Sequence, residues 1–347
     1  WRALTAFWRP RWPSRLRVGA IRVGWLCARE SWLEAGRAGL CGFRLFYECL
    51  DRMLAQGDWR WVLFSYENQP WEKMIALAAQ ARGIRVAGLQ TAILSPDYLP
   101  YQLGKGEAAR MPLPDLIGCS GPYARAVLTQ GGFQAEKLFS CGAIRYRHLR
   151  SGEHLPTAPR SEILVVLPVY PPMVRDLLSA LRRAFPDGGA KEGLRFHIRP
   201  HPLCPITPQE AGIPASWGQT PRFDNLRDSM RRCGLVLFFG STVGFEAMAL
   251  GRPGLRYRSD FLLDVDGDVY AEAVPVCGES TLRETLLRIA VEGPPAGWQE
   301  RTWAAVSRLF APPEKEKLLE IFKEVPGRAG PGAGLTRWPS PLPVMVQ

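Results

Sequence analysis

The chain has 347 residues, a net charge of +11 and 46% hydrophobic residues. That length holds two domains with full cores, and the composition is that of a globular protein. No apolar run reaches the roughly 18 residues that a membrane-spanning helix needs, so none is expected.

Eight cysteines stand at 27, 41, 49, 119, 141, 204, 233 and 277, with no C-x-x-C pair. Several lie in apolar runs and read as buried thiols in a reducing, cytoplasmic compartment. The four histidines show no metal spacing. The run Asp264 to Asp268 is acidic, but its glycine is misplaced for a calcium loop and it reads as a polar turn. The expectation is therefore no metal and no cofactor.

Charge is uneven. Residues 1–29 contain no acid but carry Arg2, Arg9, Arg11, Arg15, Arg17, Arg22 and Arg29, interleaved with Trp1, Phe7, Trp8, Trp12 and Trp25. Arginine with tryptophan suits an anionic membrane surface. A solvated basic arm or a packed domain edge explains the same residues equally well. No zinc finger, recognition helix or RNA-binding signature is present, which argues against nucleic acid. The sequence starts at Trp1 rather than Met, as a chain lacking its native start would, and residues 1–25 do not have the form of a signal peptide.

After an arm or domain edge over 1–42, helical periodicity spans 43–56. A strand follows over 59–66, then a helix opened by Pro70 and stopped by Gly83, then a strand over 84–89. A long loop rich in Pro, Gly and Tyr runs over 90–114. A strand over 116–119, a helix from Pro122 to Gly131 and a strand over 137–142 complete a first unit, 43–146. The polar stretch 147–161 reads as a linker. A second unit, 162–324, has strands over 162–167, 194–199, 235–239 and 254–257. Its helices are expected over 172–185, 225–233, 242–250, 298–310 and 313–324. The Pro/Gly-rich stretch 325–347 reads as a disordered tail. Strands alternating with helices predict parallel sheets covered on both faces, hence two Rossmann-like doubly wound α/β domains.

Three clusters carry chemistry-bearing residues. Phe196 to Pro202 is a strand ending in Arg199-Pro200-His201-Pro202, where two prolines fix the backbone around His201. A histidine there can donate to a phosphate or protonate a leaving group. Leu235 to Glu246 is an apolar strand turning through Gly240 into a helix that offers Ser241 and Thr242. One hydroxyl is the ordinary helix cap. Gly244, one turn into the helix, is read as room for a ligand, and Glu246 either as a partner for ribose hydroxyls or as a carboxylate that favours the positive helix dipole. The third cluster, Tyr66 to Glu72, packs Glu67, Asn68, Gln69 and Glu72 at the carboxyl end of a strand. A carboxylate there can be a general base or a nucleophile. Structural alternatives are that Glu72 favours the helix start and that Glu67 pairs with an arginine.

Glu67-Asn68-Gln69-Pro70-Trp71-Glu72, Gly88-Leu89-Gln90, Pro112-Leu113-Pro114-Asp115, Gly131-Gly132-Phe133 and Arg199-Pro200-His201-Pro202 occur in this order. Over roughly 43–257 the pattern resembles the bacterial surface carbohydrate biosynthesis family of O-antigen and lipopolysaccharide-type glycans. The His-Pro step and the Ser-Thr turn are also similar to those of capsule Kdo transferases and bacterial sialyltransferases. One departure is Thr91, where relatives commonly carry histidine.

The resemblance implies the glycosyltransferase B architecture, with two Rossmann-like domains facing across a cleft. It implies a metal-independent glycosyltransferase moving a sugar from a nucleotide donor, CMP-linked and Kdo-like, to a surface-glycan or lipid-linked acceptor. Arg199, His201, Ser241, Thr242, Gly244 and Glu246 would bind the nucleotide sugar. Glu67 or Glu72 would be catalytic, and Asn68, Gln69 and Gln90 would bind acceptor or sugar. The expected location is cytoplasmic, with peripheral attachment to the inner membrane if the basic arm binds lipid. Two rivals stand beside this reading: a polyol-phosphate transferase acting on CDP-glycerol, and a non-catalytic scaffold protein with the same fold.

Overall fold

The computed structural model describes residues 39–147, 154–204, 206, 225–264 and 273–323. It also describes short pieces between 17 and 33 and at 212, 217–219 and 269. Most of the basic arm, part of the linker, residues 265–268 and the tail lie outside the described residues. Strands β1 (Arg17–Val18) and β2 (Ile21–Arg22) form a small antiparallel pair.

Helix α1 (Gly39–Leu54) leads into a four-stranded parallel sheet of β3 (Trp61–Tyr66), β4 (Arg85–Gln90), β5 (Leu116–Cys119) and β6 (Leu138–Ser140). The strands lie in sequence order, so the described sheet has no reversal of winding. Helix α2 (Pro70–Ala81) opens with proline at its first turn, where the missing N–H costs nothing, and Gly83 follows its end at φ 74°. Helix α3 (Pro122–Gln130) starts the same way.

The second sheet has six parallel strands in the order β12-β11-β10-β7-β8-β9. They are β7 (Glu162–Val166), β8 (Arg195–Arg199), β9 (Gly218–Gln219), β10 (Leu235–Phe238), β11 (Gly254–Tyr257) and β12 (Val276–Cys277). All four residues of β10 are buried, as a strand covered on both faces requires. Ile163, Val165, Leu235 and Leu237 pack in one core with α4 (Pro171–Ala184). Leu164, Val166, Val236 and Phe238 pack in another with α6 (Val243–Ala249). The two helices therefore cover opposite faces, and winding reverses between β7 and β10. A crevice outside the carboxyl ends of two such strands is where α/β proteins hold ligands.

Most elements match the pattern read from the sequence, with ends displaced by one to four residues. α5 (Leu226–Arg232) follows an Asn225 cap whose side chain accepts from the Arg227 N–H at 3.0 Å. Helix α7 (Leu282–Glu292) and strands β9 and β12 stand where none is expected. Leu282, Leu286 and Ile289 of α7 are buried at helical spacing, a signal present in the chain but overlooked. The two-residue strands are too short to show periodicity.

The closing helices do not belong to the second unit alone. Helix α8 (Trp298–Leu309) packs against both α6 and α3. Beyond it, the Ala311 N–H donates to the Ser120 carbonyl and the Ala143 N–H to the Ala311 carbonyl, both at 2.8 Å. A Cβ on Gly142, which has φ 70°, would lie 2.4 Å from the Pro312 carbonyl oxygen. The chain thus leaves the first unit at Gly142 and packs back against that same place at Pro312. Helix α9 (Lys315–Lys323) ends with Phe322 edge-on to Trp61 of β3, ring centroids 5.1 Å apart. No helix among the described residues is long and apolar enough to cross a membrane.

Candidate active site

At the end of β3 the chain turns sharply. Asn68 has φ 57°, a left-handed conformation that asparagine tolerates better than most residues. The turn is held by Glu72, which is 1% exposed. Both oxygens of its carboxylate accept from the Glu67 N–H at 3.0 Å, and one accepts from the Gln69 N–H at 3.1 Å, closing a capping box. Burial raises the Glu72 pKa above its ordinary value, with the backbone donors opposing. Its oxygens are occupied by the loop, whereas Glu67, half-buried, keeps its carboxylate outside that bond network.

Polar groups collect behind this loop. The Asn68 amide donates to the Pro100 carbonyl, and the Gln90 side-chain oxygen accepts from the Ser120 N–H at 2.9 Å. The Asn68 Oδ1, Gln90 Nε2 and the Tyr66 and Tyr101 hydroxyls are buried without a hydrogen-bond partner among the described residues. Burial pushes both phenols far above their ordinary pKa, with Glu72 adding to the shift at each and Glu67 at Tyr101. Thr91 bonds Ser65, hydroxyl to hydroxyl, at 2.5 Å. Gln69 caps α2 and is half-buried.

On the second sheet, His201 follows β8. Its Nδ1 accepts from the Leu203 N–H at 3.1 Å, which leaves Nε2 to carry the proton of the neutral ring. Burial lowers its pKa below the ordinary 6.5. Arg199 donates to the Ser229 hydroxyl at 3.1 Å. Ser241 follows β10 after Gly240, at φ 52°, and its hydroxyl accepts from the Val243 N–H at 3.3 Å. Thr242 already has helical backbone angles. Glu246 is half-buried; burial raises its pKa, and Arg145 and Arg199 pull it back.

His201 and the Ser241 turn do not stand on adjacent strands. Strand β7 lies between β8 and β10, so the two loops are two strand spacings apart, about 10 Å, on the same carboxyl edge. Residues 167–170, which follow β7 and end in the exposed Tyr170, fill the place between them. Sequence reasoning passed over this segment because it carries no carboxylate, histidine or basic side chain. The reading of Gly244 also changes. A Cβ there would fall 2.2 Å from the Phe238 ring, so the glycine makes room for the core rather than for a ligand.

Two further residues were missed. Tyr146 is 3% exposed and stacks on Phe310, centroids 4.6 Å apart. Its hydroxyl makes no hydrogen bond of normal geometry but lies beside the Thr242 hydroxyl, and both Glu246 and Glu67 raise its pKa. Arg145 precedes it, with its guanidinium 5.3 Å from the centre of the Tyr146 ring. A hollow of about 260 Å³ lined by Met248, Trp298 and Trp303 lies at the other end of α6, away from these residues.

No protein-family model matches the chain, and no curated protein sequence matches it. Solved structures do. A Listeria monocytogenes protein assigned as a UDP-N-acetylglucosamine 2-epimerase superposes with TM-score 0.57 at 14% identity, over 81% of this chain and 78% of that one. The UDP-GlcNAc 2-epimerase of Neisseria meningitidis gives 0.54 at 14% identity, over 80% and 81%. That of Methanocaldococcus jannaschii gives 0.53 at 14% identity, over 80% and 81%. At this identity the likeness establishes the fold: two Rossmann-like domains in the glycosyltransferase B arrangement.

Proposed function

We propose that the protein is a nucleotide-sugar-dependent glycosyltransferase of bacterial surface-glycan synthesis. The observation that supports this reading is the fold, two Rossmann-like domains in the glycosyltransferase B arrangement, with Glu67 following β3 of the first sheet and His201 and Ser241 following β8 and β10 of the second, each at a carboxyl edge.

In this reading the phosphate of the donor is held by Arg199, the Nε2–H of His201 and the hydroxyls of Ser241 and Thr242. Fixed donors aimed at the leaving phosphate stabilise the charge that develops there. Glu246 takes the ribose hydroxyls. Glu67 is the general base or nucleophile, and Glu72 positions it by holding its N–H. Asn68, Gln69 and Gln90 face the acceptor or the transferred sugar, and Gln90 Nε2 brings an unused donor. The basic arm over 1–42 supplies contact with an anionic membrane where lipid-linked acceptors reside.

The test is incubation of purified protein with CMP-, UDP-, GDP- and CDP-linked donors and glycan acceptors, with mass spectrometry of the products. Transfer supports the reading. A second reading, nucleotide-sugar epimerisation, is favoured by the fold likeness to UDP-GlcNAc 2-epimerases, one of which is bound to UDP-GlcNAc. An epimerised nucleotide sugar formed without acceptor would select it. Transfer of a polyol phosphate would select the CDP-glycerol alternative, and no turnover with any donor the scaffold alternative.

A further inference from the structure

The segment that carries the chain from the first unit to the second lies outside both sheets, and its backbone is fixed on either side of Arg145. Ala143 is bonded to Ala311 at 2.8 Å, and the Tyr146 ring is stacked on Phe310 within the second core. Arg145 itself is exposed, and its guanidinium is held over the Tyr146 ring at 5.3 Å. Stacking of this kind orients the planar fork before any ligand arrives, so less side-chain freedom is lost on binding.

Its neighbourhood is the start of α6: Tyr146, Phe245 and Phe310 share one core with Val243 packed against it, and Phe245 stands edge-on to Phe310 with ring centroids 6.1 Å apart. Arg199 is engaged by Ser229 at 3.1 Å. Arg145 forms no ion pair within 4.0 Å among the described residues, although its charge favours the ionised form of Glu246.

We propose that Arg145 is a phosphate-binding residue of the nucleotide site, contributed by the connecting segment and not by either sheet. This rests on the nucleotide-sugar reading above. An arginine fork matches two phosphate oxygens at once, whereas the hydroxyls of Ser241 and Thr242 each offer one donor. Because Arg145 sits where the chain passes between units, phosphate binding also ties the donor to the junction.

The experiment is calorimetric titration of the full chain and of its R145A and R145K variants with UDP, CMP and GDP and with uridine, cytidine and guanosine. For the nucleotide that wild type binds, R145A should lose roughly tenfold to a hundredfold in affinity, as removal of a charge-assisted bond predicts. R145K should recover part of the loss, and the matching nucleoside should bind all three proteins alike. Melting temperatures should be equal, since the side chain is exposed. Equal nucleotide affinity in wild type and R145A would overturn this assignment alone. So would an equal loss for nucleotide and nucleoside, because the arginine would then shape the pocket without touching phosphate. Wild type that binds none of the three nucleotides would overturn the donor-site reading and this assignment with it.

Discussion

The carboxylate of Glu72 receives the backbone N–H of Glu67, with both oxygens at 3.0 Å. Two acids five residues apart therefore have different duties: one is spent on the loop, and the other is carried by it. Glu72→Ala would leave buried N–H groups unpaired and should lower stability by about 3 kcal/mol, read as a fall in melting temperature. Glu67→Gln should leave melting temperature and donor affinity nearly unchanged and cut turnover by roughly 10²–10⁴, the usual contribution of a general base. Normal turnover in Glu67→Gln would remove this carboxylate from the chemistry.

His201→Ala and Ser241→Ala should each weaken nucleotide binding by roughly 1.5–3 kcal/mol, the contribution of a hydrogen bond to a charged group. Ser241→Ala should also cost about 1 kcal/mol of stability, because its hydroxyl caps the Val243 N–H. Calorimetry on folded protein separates the two effects. Unchanged affinity in both variants would dismiss the phosphate pocket.

Acid should act through His201. Burial holds its pKa below 6.5, so the unfolded chain takes up that proton at a higher pH than the folded protein does. The stability linked to this neutral ring is full above about 6.5 and declines as pH falls toward the depressed value. Glu246 has the opposite sign: its raised pKa keeps a proton on the folded form, and the linked stability is lost as pH rises above the ordinary carboxyl range. Melting curves from pH 7 to pH 5 should fall less steeply for His201→Ala than for wild type. Parallel curves would show that the histidine does not titrate differently on folding.

Gly244→Ala tests the packing reading of that glycine. The added methyl meets the Phe238 ring at 2.2 Å, and overpacking of this kind costs roughly 1–3 kcal/mol. Adding Phe238→Leu should restore part of the loss. If Gly244→Ala instead kept its stability and lost nucleotide affinity, the residue would belong to the ligand after all.

The alternation of strand and helix was legible because buried strands such as Leu235–Phe238 carry apolar runs and helices α2, α3 and α4 open with a proline. Sites at strand ends, such as Glu67, His201 and Ser241, were visible for the same reason, since a polar residue directly after such a run stands at the sheet edge. Distances between the loops were not visible. Strand order decides that β7 separates β8 from β10, and order is set by long-range pairing that leaves no local mark. The duty of Gly244 depended on the side chain of Phe238, six residues earlier but facing it across the strand-to-helix turn. Arg145 and Tyr146 escaped notice because nothing near them in sequence is polar, apolar or glycine-rich in a telling pattern. Their meaning comes from Phe310, more than 160 positions later by the sequence numbering.

The outward passage of the chain at Gly142 and its return at Pro312 cross in direct backbone contact, because the Pro312 carbonyl presses where a side chain at 142 would begin. With the Ala311–Ser120 bond beside it and Phe322 against Trp61 at 5.1 Å, the closing segment is stitched to the first sheet at separate places, so the end of the chain serves as a clasp on the unit that was built first.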